Sequence, residues 1–323
     1  MIERLDAFMA RANALYYARQ DPFADFTTSP EISQVFGELL GLWCAVVWET
    51  MGSPDPVILA EAGPGRGTLM ADALRAIGQA APRLKHALRL HLIETSPRLR
   101  AVQTGLLADA SFHSSLAGLP PGPLLLLANE FLDALPIRQF VRRGGGWCER
   151  FVHGGEMVER TAGGPGREAA EGVVVEVGEA ACDFAASLAR RLEAEGGAAL
   201  LIDYGPARRG TGDSLQALRR GRPADPLVDP GTADLTAHVD FQALAEISGG
   251  CTVHGPAPQG LFLTRLGLFQ RTGVLARGQS PAKGAALMTA ARRLVEPDQM
   301  GRLFKAMAVC HPGLAPPPGF SDP

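Results

Sequence analysis

Along this chain, carboxylates recur where short apolar runs stop. VILAEA (57–62) carries Glu61 and breaks into Gly63-Pro64-Gly65-Arg66-Gly67-Thr68; LRLHLIE ends on Glu94, PLLLLANE on Asn129 and Glu130, and AALLIDYG carries Asp203. Glycines placed directly after such a run let backbone approach a ligand closely, and the free amides of a following helix attract anionic groups. A carboxylate nearby accepts hydrogen bonds from hydroxyls or meets an ammonium. It also pairs bidentately with a guanidinium, a role open to Glu130 and Asp133 in Asn129-Glu130-Phe131-Leu132-Asp133. The same residues would serve equally as a helix cap with favourable dipole charges, and residue chemistry leaves both roles open. Asp234, in the polar segment DPGTADLT (229–236), suits a loop that closes over an acceptor or one that simply turns.

Spacing narrows the ligand. A dinucleotide site wants G-x-G-x-x-G, but Thr68 stands where the third glycine belongs and Gly67 comes one residue early. Acidic-x-Gly-x-Gly-x-Gly is the pattern used for S-adenosylmethionine, a cofactor without a pyrophosphate. Glu61, Gly63, Gly65, Gly67 and Thr68 are then expected around its amino-acid end and ribose, Glu94 on the ribose hydroxyls, and Asn129 beside cofactor or acceptor. No G-x-S-x-G elbow or phosphate-cradling lysine loop is present, so serine-triad hydrolysis and phosphoryl transfer fall away. Histidines are dispersed and the five cysteines scattered, which supports neither a metal site nor a disulfide framework. Arg208, Arg209, Arg219, Arg220 and Arg222 form a basic stretch without an interleaved aromatic, expected to be a solvated loop first and a dock for an acidic protein second.

The elements that position these residues alternate. Strands over 57–62, 88–94, 122–130 and 198–205 are separated by helical segments, the signature of an α/β fold with right-handed crossovers and a parallel sheet. Ser29 as N-cap and Pro30 at the first helical position predict one buried helix over 29–51. Residues 137–153, two strand-like runs around a triple glycine, predict an inserted hairpin. Helices are expected near 180–195, 239–248 and 283–296, an antiparallel last strand over 303–309, and a frayed APPPGF tail. This gives an N-terminal helical segment covering the cleft (1–56), a first core half with the cofactor site (57–136), an inserted hairpin and helix (137–197), a second core half with acceptor-side loops (198–310) and a tail (311–323).

The 323 residues include 31 Lys+Arg against 34 Asp+Glu, and 46% are hydrophobic. That excludes a disordered chain and gives no long-range reason to bind nucleic acid or an anionic membrane. Only Lys85, Lys283 and Lys305 are lysine, a usage typical of GC-rich bacterial genomes. With no signal-like start and no run of roughly 18 apolar residues, a bacterial cytoplasmic location is expected.

ADFTTSPEISQVFGELLGLW (24–43), EAGPGRGTLMADALR (61–75), HLIETSP (91–97), ANEFLDALPI (128–137), GGAALLIDYG (196–205) and DPGTADLTAHVDF (229–241) together resemble the MidA-type class I S-adenosylmethionine-dependent methyltransferases, a family that includes a mitochondrial complex I assembly factor methylating a protein arginine. The resemblance runs from about residue 16 to 310. It implies a Rossmann-like, seven-stranded, mostly parallel sheet whose last strand is antiparallel, with inserted hairpin and helices. It implies Thr28, Ser29 and Glu31 near the cofactor or acceptor cleft, and an arginine on a complex I subunit as acceptor. Members of the family usually carry more chain before their first aromatic pair, which implies a less covered cleft here. For arginine chemistry Glu130, helped by Asp203, is expected to orient the guanidinium. A cofactor-binding assembly protein without chemistry and a small-molecule methyltransferase are the alternatives.

Overall fold

The computed structural model describes residues 2–20 and 27–320; residues 24–26 of the first family motif lie outside the described residues. Seven strands form the central sheet, in the spatial order Thr252–Pro258, Phe304–Cys310, Gly197–Tyr204, Leu124–Asn129, Val57–Ala62, Leu88–Ile93, Ser111–His113. The last five in that order are mutually parallel, and Phe304–Cys310 runs antiparallel to both its neighbours. From Val57–Ala62 the chain first moves to one side, to Leu88–Ile93, and later returns to pair on the other, through Leu124–Asn129. That reversal opens a crevice at the carboxyl ends of the two strands, where a ligand can enter between the diverging loops.

The five inner strands are buried on both faces, which is why they read as nearly unbroken apolar runs, whereas the edge strands Ser111–His113 and Thr252–Pro258 are partly exposed. Leu59, Leu125, Leu127 and Leu200 point to one core with Phe36, Trp43 and Phe262, whereas Ile58, Leu124, Leu126 and Leu201 point to the other with Leu188 and Phe241. On the first face, helix Gln34–Thr50 packs closely on helix Thr68–Ala80 at Gly37 and Gly41. A Cβ on Gly41 would lie 2.6 Å from the Ala73 carbonyl oxygen, and one on Gly37 2.8 Å from that of Leu69.

The helix expected over 29–51 is two helices. Ser33 adopts extended backbone (φ −154°, ψ 126°), so Ser29–Ile32 ends there and Ser33 caps Gln34–Thr50 by accepting from the Val35 N–H at 3.3 Å. Thr28, not Ser29, occupies the first N-cap. The APPPGF segment is docked as far as Phe320, whose ring lies 5.2 Å from that of Phe262 and 6.2 Å from that of His254. GPAPQG belongs to the edge strand Thr252–Pro258 and helix Gln259–Arg265. The hairpin Arg138–Arg143/Gly146–His153 is present, within a five-stranded antiparallel sheet completed by Ile2–Arg4, Glu156–Ala162 and Val174–Val177. The polar stretch to about 235 holds a small sheet of Gln216–Arg219, Arg222–Ala224 and Asp234–Thr236. Helix Leu5–Arg19, which follows directly on the strand Ile2–Arg4, lies over the crevice.

Candidate active site

Val57–Ala62 stops because Gly63, Gly65 and Gly67 all take positive φ (66°, 56° and 85°). Gly63 donates its N–H to the Ile93 carbonyl at 3.1 Å and Gly67 to that of Pro64 at 2.7 Å, which folds the loop into a tight ring ahead of helix Thr68–Ala80. A Cβ on Gly63 would meet Phe131 at 2.8 Å, so backbone stands where a side chain would close the space. The loop borders a cavity of about 680 Å³, within the roughly 300–1,000 Å³ typical of small-ligand sites.

Thr28, Glu31, Glu61, Gly63, Gly65, Thr68, Glu94, Asn129 and Glu130 all line this one cavity. Glu61 is 3% exposed, its Oε2 has no hydrogen-bond partner among the described residues, and burial pushes its carboxyl up to about 8. Glu94 accepts from the Ser96 N–H at 2.7 Å and the Gln103 amide at 3.2 Å; burial raises it as well, against those hydrogen bonds. Glu130 sits at a positive φ of 50°, a strained conformation for a residue with a Cβ. Its Oε1 accepts from the Ser29 N–H at 2.8 Å and the Asn129 amide at 3.0 Å, while burial raises its pKa. Glu31, which lines the same cavity, accepts from the Thr68 hydroxyl at 2.6 Å.

Asp203 does not act in the cavity. It is fully buried, and its Oδ2 accepts from the Phe131, Leu132 and Asp133 amides at 3.1, 2.9 and 3.3 Å while Oδ1 accepts from Tyr204 N–H at 2.9 Å. With both oxygens committed to backbone, it fixes the turn that carries Glu130 and cannot orient a guanidinium. Asp133 and Asp234 also lie behind the cavity rather than on it: Asp133 is buried against Asp203 and hydrogen-bonds Tyr204, and Asp234 accepts from the Tyr17 hydroxyl at 2.8 Å. Ser29 is buried and contributes its backbone amide to Glu130 rather than a cleft hydroxyl. Gly67 shapes the loop from beneath, close to Leu107.

Four contributors escaped the sequence reading. Asn13 and Tyr17 line the cavity from helix Leu5–Arg19, whose Leu5, Phe8, Met9, Ala12 and Tyr16 recur at helical spacing and were the available signal. Ser96 donates its N–H to Glu94 and its hydroxyl to the Tyr17 carbonyl at 2.9 Å. Gln103, also fully buried, bridges Glu94 and the Gly65 carbonyl (2.7 Å).

These residues fit a sulfonium nucleoside. Among the described residues Glu61 Oε2 and Asn129 Oδ1 are buried without a hydrogen-bond partner and suit an ammonium or hydroxyls, and Glu94 retains lone pairs for ribose hydroxyls. The sheet order, with its antiparallel penultimate position, and this glycine loop define a class I S-adenosylmethionine methyltransferase fold. The family model described as "Putative S-adenosyl-L-methionine-dependent methyltransferase" matches residues 39–257, and the chain belongs to that family. It is 35% identical to "Protein arginine methyltransferase NDUFAF7, mitochondrial" of Mus musculus over 335 residues, covering 91% of this chain and 77% of the mouse protein. The Drosophila melanogaster homologue is 33% identical over 359 residues, covering 95% and 80%. A crystal structure of a Burkholderia thailandensis relative bound to S-adenosyl-homocysteine superposes with a TM-score of 0.80 at 26% identity, covering 98% of this chain and 90% of that one. S-adenosylmethionine is the cofactor of this methyltransferase.

Proposed function

We propose that this protein methylates an arginine side chain of a protein acceptor, a complex I subunit, in the bacterial cytoplasm. The observation that carries the proposal is the placement of Glu130 on the wall of the cavity that Glu31 also lines, with one Glu130 carboxylate oxygen fixed by Ser29 and Asn129. The names of the mouse and fly relatives support arginine as the acceptor type, and the family resemblance supports complex I as its source.

Bound S-adenosylmethionine supplies an electrophilic methyl on sulfur. The chain supplies position: holding nucleophile and methyl roughly 3 Å apart and in line accounts for much of the barrier reduction in such transfers. A guanidinium has several N–H donors and a pKa above about 12, so it must be oriented and must lose a proton as the methyl arrives. Glu130 pairs with one edge of the guanidinium and Glu31 takes the part that Asp203 cannot. Burial of Glu130 makes its carboxylate a better proton acceptor than an exposed one.

The test is incubation with methyl-labelled cofactor and a cell lysate, followed by mass spectrometry of the labelled species. The expected product is methylarginine in a protein, and Glu130→Gln is expected to abolish transfer while cofactor affinity in calorimetry stays within about twofold. Label in a low-molecular-mass product, or no transfer despite cofactor binding, would return the small-molecule or the non-catalytic alternative respectively.

A further inference from the structure

The basic stretch splits in two once folded. Arg209 is held internally, Nε on Asp240 at 2.8 Å and Nη2 on Glu246 at 2.7 Å. Arg219 and Arg222 stand exposed on the hairpin between Gln216–Arg219 and Arg222–Ala224, as does Arg220, which has an interaction partner of its own. They line a second cavity of about 980 Å³ with Gln20, Asp225 and Thr232. Asp225 turns one oxygen to the Leu227 N–H at 2.9 Å, and Asp229 approaches Arg219 only to 3.8 Å with both side chains exposed. Arg222 has no ion pair among the described residues.

This notch adjoins the active-site cavity at one helix end. Tyr17 and Ala18 line the active-site cavity, while Gln20, whose N–H extends the helix onto the Tyr16 carbonyl at 2.8 Å, lines the notch. Three residues of helix rise only about 4.5 Å. On the other side Thr232 and Ala233 line the notch, and the next residue, Asp234, holds the Tyr17 hydroxyl.

We infer that the notch docks an acidic stretch of the protein acceptor, flanking the arginine that enters the active-site cavity. The inference rests on the acceptor being a protein. Guanidinium forks recognise carboxylates bidentately. Exposed pairs are individually weak, so their effect falls on capture and register rather than on the chemical step. Among the described residues the notch is lined by guanidinium groups and by no aromatic side chain on which a base could stack, which favours an acidic peptide over nucleic acid.

The test uses the full chain with S-adenosylhomocysteine and two fluorescent peptides of about 15 residues, each with one arginine, flanked either by glutamates or by serines. Anisotropy should show the acidic peptide binding at least ~10-fold tighter at low salt, with the preference lost as ionic strength rises to about 0.3 M. R219E/R222E should abolish the preference and leave cofactor affinity unchanged. Equal binding of both peptides by the wild type, a preference that survives in the variant, or tighter binding of a single-stranded RNA of similar length would each overturn it. Because the readout is binding, an absence of methylarginine in the lysate experiment counts against the proposed reaction, whereas equal peptide binding counts against the notch.

Discussion

Glu61 is a buried carboxyl whose Oε2 has no hydrogen-bond partner among the described residues, and burial pushes its pKa up to about 8. The unfolded chain ionises it near 4.5, so between those values the folded form alone holds the proton. The associated stability is complete below about 4.5, falls by about 1.4 kcal/mol per pH unit as pH rises towards 8, and is flat above. Glu61→Gln is expected to remove that slope, so that the free variant resists urea better than the wild type at pH 8 while binding S-adenosylhomocysteine more weakly. Calorimetry near pH 7 in buffers of different ionisation enthalpy should show a proton released when the wild type binds and none from the variant. The glycine loop, Glu61 and Glu94 were legible because strand ends and glycines are local signals. Asp203 was misread for a physical reason: an acidic strand end looks the same in sequence whether its oxygens face a ligand or the amides of a turn some seventy residues away.

Among the elements, five of the seven central strands and most core helices were legible because each is an apolar run with a clear boundary, whereas Ser111–His113 and Thr252–Pro258, at the two edges of the sheet, carry no such run. The break at Ser33 was not, since Ser29-Pro30 already supplies a start signal and nothing local says that a second start follows. The short antiparallel strands of the two smaller sheets were largely missed, because Glu156–Ala162 and Arg222–Ala224 are mostly exposed and carry little alternation. The helix pair at the core offers a sharper test. Helix propensity alone favours Gly→Ala by up to about 1 kcal/mol. At Gly41 the new methyl would strike the Ala73 backbone, which cannot rotate away; Gly41→Ala should therefore lower stability by about 1–3 kcal/mol in chemical denaturation. At Gly78, exposed in helix Thr68–Ala80 with open space beside it, the same change should raise stability by up to about 1 kcal/mol.

At the scale of the molecule, the active-site cavity is closed by parts far apart in sequence, and this was the least legible layer. Helix Leu5–Arg19 is tied down by Asn13, whose amide donates to the Ala134 carbonyl at 3.0 Å and the Leu235 carbonyl at 2.8 Å while its oxygen accepts from Leu235 N–H at 3.0 Å. Tyr17 adds the bond to Asp234, and Ser96 couples the same helix to the carboxylate Glu94. No local pattern announces an asparagine that completes a strand more than two hundred residues later. Its removal leaves backbone groups buried and unpaired, so Asn13→Leu should cost ~3 kcal/mol. The central sheet draws its stability from two apolar cores that Asn13 does not enter, so the loss should be local. Hydrogen exchange is expected to show amides of residues 8–19 losing protection while those of Val57–Ala62 and Leu124–Asn129 keep theirs, with cofactor affinity falling because one wall of its cavity has loosened. Uniform loss of protection across the sheet would instead make this helix part of the fold's cooperative core rather than a separately secured cover.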